Sequence, residues 1–209
     1  MIGRKISSIA ILVFTLLIVG CEDNSFTPFD HAAQAIIDDL TLIDYMSTHY
    51  YDEVTGEIKE ITGDEESFYD QAIVEKINYL DVQYNLYHIV TVEGKGEQPG
   101  TEDSVLPTYR GELLDGTVFD ERISITIGNP WFSLNNVIPG WKYGMVHFKG
   151  GINVSQPEAP LEFTDYGEGF LFIPSGLGYR ELSNGIIPGS SPLVFKIELQ
   201  YVDIVETEE

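Results

Sequence analysis

Residues 193 to 201 read Leu-Val-Phe-Lys-Ile-Glu-Leu-Gln-Tyr. Leu193, Phe195, Ile197, Leu199 and Tyr201 alternate with Val194, Lys196, Glu198 and Gln200, the period of two that marks a strand with one buried face. Such a strand cannot stand alone, because its backbone groups need neighbours and its apolar face needs a cover. The chain offers neighbours in further strand-like runs at Leu86–Val92, Val105–Leu113, Thr117–Asp120, Ile123–Ile127 and Phe170–Ile173, with Gly94, Gly96, Pro99 and Gly100 breaking the first of them off. It offers a cover in one short helix from Pro139 to about Phe148, with proline near the first turn. One helix against a largely antiparallel sheet is an α+β arrangement.

The N-terminal end has a different texture. Arg4 and Lys5 precede an almost wholly apolar run, Ile6 to Val19, which closes on Gly20 and Cys21. That order of charge, apolar run and small residue reads as a secretory leader, and the run is short for a membrane span of about 20 residues. Ile18-Val19-Gly20-Cys21 resembles the bacterial lipobox, which implies cleavage before Cys21 and acylation of its thiol. Cys21 is the one cysteine of the chain, so no internal disulfide is available and lipidation accounts for the odd thiol. Each buried acyl methylene contributes roughly 0.8 kcal/mol, so multiple acylation would hold the protein at a membrane. Localisation is therefore expected at the bacterial cell envelope, on the outer membrane. Glu22 and Asp23 leave the periplasmic and the surface face both open.

The expected organisation is a leader over 1–20, a tether over 21–29, a helical and irregular extension over 30–80, and a main domain over 81–206 with an insertion at 152–168. In the extension, Asp30 is placed to cap a helix of about 30–49, in which Ala33, Ile36, Ile37, Leu40, Ile43 and Met46 recur at helical spacing. That apolar stripe must bury against something. We expect it to pack on its own domain, the alternative being a dimer helix. Residues 51–75, with Gly56, Gly63 and the acids Asp64, Glu65 and Glu66, show no clear period and read as irregular.

Charge excludes some partners. The net charge is −23, and loss of Arg4 and Lys5 with a leader makes it more negative by two. Such a surface repels phosphate backbones and anionic lipid heads, so no nucleic-acid partner is expected and attachment must come from the anchor. His31, His49, His88 and His147 are scattered without ligand spacing, so no metal site is expected.

Five blocks then carry a resemblance. They are Tyr109-Arg110-Gly111-Glu112-Leu113-Leu114-Asp115-Gly116-Thr117-Val118-Phe119-Asp120; Val137-Ile138-Pro139-Gly140-Trp141; Ile173-Pro174 with Gly178-Tyr179; Gly185-Ile186-Ile187-Pro188; and Leu193-Val194-Phe195-Lys196-Ile197-Glu198-Leu199. In this order they resemble the FKBP-type peptidyl-prolyl cis-trans isomerases. The resemblance implies an antiparallel sheet wrapped around one short helix, and an enzyme acting on X-Pro bonds of client proteins without a cofactor. The lead-in Tyr166-Gly167-Glu168-Gly169 and the block Pro174–Tyr179 look similar to lipoproteins of this family of Bacteroidetes or Flavobacterium type.

The resemblance also implies a pocket. Trp141 would form the floor under a proline ring, and Tyr109, Phe119, Val137, Ile138 and Phe195 the walls. The Ile138 N–H would hold one substrate carbonyl and the Tyr179 hydroxyl another. Asp120 would sit beside Tyr109 and orient the polar edge, and Ile187 would contribute the loop side of the rim. Trp131 and Phe132 are both open for a further aromatic position. Three features depart from the family pattern: Arg180 where glycine is usual, a shortened loop from there to Gly185, and Asn136 where an acid is common. If that loop blocks the pocket, a proline-binding chaperone or scaffold becomes the better reading. For the anchor, Cys21→Ser is expected to move the protein from the membrane to the soluble fraction of fractionated cells; retention in the membrane fraction would remove the lipoprotein reading.

Overall fold

The computed structural model describes residues 28–126 and 128–205, so the expected leader, Cys21 and most of the tether lie outside the described residues. Seven strands form one antiparallel sheet. In sequence, the chain first makes helix α1 (His31–Thr48), a hairpin of β1 (His49–Asp52) and β2 (Glu57–Glu60), and a one-turn helix α2 (Phe68–Gln71). The sheet strands are β3 (Ile73–Tyr79), β4 (Val82–Val92), β5 (Ser104–Leu113), β6 (Val118–Arg122), β7 (Phe132–Ser133), β10 (Gly167–Ile173) and β11 (Leu193–Asp203). Their order is β3-β4-β10-β11-β5-β6, with β7 on the far end of β5. Helix α3 (Pro139–Gly144) and one 3-10 turn (Met145–His147) cover one face, and a small hairpin of β8 (Ile152–Asn153) and β9 (Phe163–Thr164) occupies the expected insertion. This is the α+β architecture of a sheet around a short helix.

The alternation at 193–201 acts as the sequence reading requires. Leu193, Phe195, Ile197 and Leu199 enter one core with Leu171, Ile173, Trp141, Met145 and Phe148. The opposite face is covered as well. Val194 joins Phe170, Phe172, Tyr87 and Ile89 in a second core, closed by Leu42, Tyr45 and Met46 of α1 and by Phe68 of α2. The central strands are thus sandwiched between α3 and the N-terminal elements.

Three expectations need correction. Helix α1 is present and capped, with Asp30 Oδ1 accepting from the Ala33 N–H at 2.9 Å. Yet it buries Asp38, Leu42, Tyr45 and Met46, while Ile36 and Leu40 of the expected apolar stripe are 65% and 64% exposed. Polar contacts fix this rotation: Asp39 Oδ1 accepts from Asn85 Nδ2 (2.9 Å) and the Tyr87 hydroxyl (2.7 Å), and Asp38 faces a loop beyond β10. Residues 51–75 hold regular elements on either side of an irregular stretch at 61–67. The β1–β2 hairpin turns through Gly56 at φ +73°, and β3 joins the main sheet at Ile73, ahead of residue 81. The run at Ile123–Ile127 is not a strand over its described residues 123–126; β6 is the sheet edge, and Ile123 there is 82% exposed with no cover.

One buried titratable group makes this fold sensitive to acid. His88 of β4 is nearly inaccessible, and its ring stacks on His147 at 3.8 Å with an interplanar angle of 4°. His147 Nε2 lies 2.7 Å from Glu75 Oε2. Burial disfavours the charged His88 ring and His147 adds to the effect, lowering its pKa to about 4. The unfolded chain binds the proton near pH 6.5, so the folded state lags behind it in protonation between about 6.5 and 4. Stability is therefore full above that window and falls as the pH drops through it, by on the order of 3 kcal/mol for this group. Urea midpoints across that range should fall less steeply for His88→Phe than for the wild type; parallel curves would show that His88 contributes nothing.

Candidate functional site

The site is built where α3 meets the inner face of the sheet. Ile138 stands at the helix N-cap with Pro139 at the first helical position. The Ile138 carbonyl accepts from the N–H groups of Trp141 and Lys142. Its own N–H donates to no group among the described residues, which leaves it able to take an incoming carbonyl. This short helix start directs Trp141 into the sheet, where it is 4% exposed. Three aromatic rings stand edge-on around the indole: Tyr109 of β5 at 5.0 Å, Phe132 of β7 at 5.3 Å and Phe195 of β11 at 5.3 Å. Phe119 of β6 closes on Phe195 at 5.4 Å. Such edge-to-face sets are favourable beyond their area and hold each ring in one orientation.

A cavity of about 260 Å³ opens above the indole. Tyr109, Phe119, Asp120, Val137, Ile138, Trp141, Tyr179 and Phe195, all candidates from the sequence, line it together. Phe132 and Asn136 line it too. Of the two aromatic residues the sequence left open, Phe132 is in the wall, and Trp131 lies outside, edge-on to Tyr201 at 6.0 Å. Ile187 is brought elsewhere: it is buried in the main core, not on the cavity wall, and Ile186 beside it points outward. An Asn184–Ile187 backbone bridge, with Gly185 at φ +59°, turns this segment so that Ile187 faces in.

Gly111, noted in the sequence only as part of a motif, shapes the cavity by being small. A Cβ there would lie 2.6 Å from Phe119 and 2.7 Å from Phe195, the two rings that form one wall.

The polar edge is spare. The Tyr109 hydroxyl donates to Asp120 Oδ2 at 2.8 Å. Burial first, then this bond and the Asp120 charge, push the Tyr109 phenol well above its usual range. Burial also raises the Tyr179 phenol, again with help from Asp120. Both hydroxyls are therefore neutral donors at ordinary pH. Asp120 is the single acid in the lining, and apart from the Asn136 amide and the two tyrosine hydroxyls the walls are apolar.

The loop after Tyr179 stands clear of the opening. Arg180 adopts φ +63°, and its Nη2 donates to His31 Nε2 on α1 at 2.6 Å, with Nε 3.5 Å from Glu181 Oε2. The guanidinium is thus turned towards the N-terminal helix, and of this loop only Tyr179 reaches the cavity.

A sheet wrapped on a short helix, with a tryptophan floor and aromatic walls, defines a small, open pocket suited to an apolar ring. The family model for FKBP-type peptidyl-prolyl cis-trans isomerase matches residues 95–200, and the chain belongs to that family. Among curated relatives, a probable FKBP-type isomerase FkpA of Neisseria meningitidis is 39% identical over 116 residues, covering 54% of this chain and 36% of the relative. FkpA of Aeromonas hydrophila is 31% identical over 163 residues, covering 73% and 54%. Mip of Coxiella burnetii is 33% identical over 116 residues, covering 54% and 43%. The chain thus spans about a third to a half of the length of these relatives. A crystal structure of a peptidyl-prolyl cis-trans isomerase from Pseudomonas syringae shares the fold at a TM-score of 0.50 and 21% identity, over 84% of this chain and 98% of that one.

Gly111→Ala should force Phe119 and Phe195 apart at a cost of about 1–3 kcal/mol. The check is a fall in the urea midpoint together with shifted aromatic resonances of those two rings; an unchanged midpoint and spectrum would mean that the wall yields without effect.

Proposed function

We propose that this chain is a peptidyl-prolyl cis-trans isomerase acting on X-Pro bonds of secreted or envelope proteins. The observation that carries the reading is the open aromatic cavity over Trp141, with a free N–H at Ile138 and a neutral hydroxyl at Tyr179 beside it. The rate problem is a barrier of about 18–20 kcal/mol, set by amide resonance. Twisting the bond removes that resonance and leaves a less polar amide. An apolar cavity penalises the planar, polar ground state more than the twisted one, which is differential binding of the transition state. The Ile138 N–H and the Tyr179 hydroxyl hold the flanking carbonyls while the bond turns. No proton need move, so no general base is required.

The rival reading, a proline-binding chaperone or scaffold with negligible turnover, drew its support from Arg180 and its shortened loop. With the guanidinium turned to His31, that support is weakened. The reading extends to place: a leader over 1–20 followed by Cys21 favours a chain held at the envelope by acylation, as in lipoproteins of Bacteroidetes or Flavobacterium type, where exported clients pass.

The test is a protease-free isomerisation assay on a short X-Pro peptide, with folding checked by circular dichroism. Wild type should accelerate the reaction. Tyr179→Phe, which removes one hydrogen bond worth about 1 kcal/mol, should lower kcat/KM by roughly five-fold. Trp141→Ala, which removes the floor, should cost more than ten-fold, on the order of 2 kcal/mol or above. A well-folded wild type without acceleration would transfer the assignment to the proline-binding chaperone or scaffold.

A further inference from the structure

Tyr179 reaches the cavity from a loop that is pinned on both sides by one helix. Ahead of it, Asp38 of α1 is 1% exposed, and its Oδ2 accepts from both the N–H (2.7 Å) and the hydroxyl (2.6 Å) of Ser175. Gln34 Nε2 donates to the other carboxylate oxygen at 2.8 Å. Behind it, Arg180 reaches His31 near the start of the same helix. The turn between is pressed onto β4: a Cβ on Gly176 would lie 2.1 Å from the Tyr84 ring. Within the loop, the Arg180 N–H donates back to the Ser175 carbonyl at 2.9 Å, closing Ser175 to Arg180 into one unit. A buried carboxylate is costly unless its oxygens are satisfied, and here donors from the loop and from its own helix satisfy it.

We infer that α1 is a positioning element of the active site, with Asp38 as the residue that sets the height of Tyr179 in the cavity through Ser175. This rests on the isomerase reading for its catalytic consequence, but its structural half does not. The N-terminal extension then belongs to the catalytic unit as well as covering the sheet. A side chain far from the reacting bond matters because misplacement by an ångström is enough to spoil a productive geometry.

The experiment uses the whole chain with ring-labelled tyrosine, the Tyr179 resonance being the one missing from Tyr179→Phe. In Asp38→Ala that resonance should move. The kcat/KM should fall by up to about five-fold where Tyr179 is present, the full loss seen in Tyr179→Phe, and little in the Tyr179→Phe background, because the loss passes through the hydroxyl. Asp38→Asn should recover part of the activity, since its amide oxygen still accepts from Ser175. If Asp38→Ala does not fold, Ser175→Ala removes one of the two bonds and should move the same resonance in the same direction by less. A folded variant with an unmoved Tyr179 resonance, or equal losses in both backgrounds, would overturn the proposal. Should the wild type prove inactive, the isomerase reading fails, and the resonance alone still decides whether Asp38 positions Tyr179.

Discussion

A strand buried on both faces needs two covers, and β10 is such a strand. Phe170 and Phe172 point one way, Leu171 and Ile173 the other, and none is more than 2% exposed. The inner cover is α3 with its 3-10 turn. That packing brings the helix start, and hence Trp141, against Phe195 and Tyr109. The outer cover is α1, α2 and the first hairpin. The chain leaving β10 at Pro174 must pass between the two covers, so its loop touches both: Tyr179 on the cavity side, Ser175 and Arg180 on the side of α1. The location of the site therefore follows from how the central strand is buried.

The chemistry suits the charge. A chain at −23 needs a place from which its own carboxylates are kept away if it is to favour a less polar amide. The cavity admits one, Asp120, and engages it with the Tyr109 hydroxyl. Much of the remaining wall is rings held edge-on to one another. Rigidity of this kind matters because the gain depends on excluding water from one bond while leaving its neighbours hydrogen-bonded. Acidity on the outside and an apolar interior to the cavity are thus compatible, and the first helps keep an exposed aromatic opening from sticking to other acidic surfaces.

Much of this was legible in the residues. Strong alternation at 193–201 and the blocks at 109–120, 137–141 and 178–179 identify the strands, the helix start and eight of the lining residues, because local pattern and pocket chemistry coincide there. Other parts were not legible. Periodicity counts apolar residues, and on that count α1 should bury Ile36 and Leu40. It has no means of registering that Asp38 would meet an amide 137 residues away, or that Asp39 would meet Tyr87. The short, half-exposed strands of the first hairpin carry too few residues for a period to show. Ile187 was misplaced because its side-chain direction depends on a turn through Gly185, which sequence spacing does not report. The choice of Phe132 over Trp131 depended on which of two adjacent residues begins the two-residue strand β7 and pairs against β5.

Arg180 joins these threads. The position has φ +63°, where glycine is at ease and a side chain costs roughly 1–2 kcal/mol. An arginine tolerates the strain only if its side chain returns something. Here it returns a bond to His31 of the N-terminal helix and an ion pair with its loop neighbour Glu181, neither directed at the cavity. Read from sequence alone, the substitution looks like damage to the active-site loop. In the fold it is one half of a pair of attachments, with Asp38–Ser175 the other, by which an added helix takes hold of that loop. The helix supplies the partner that makes the arginine tolerable, and the arginine gives the helix its grip on the loop that carries Tyr179.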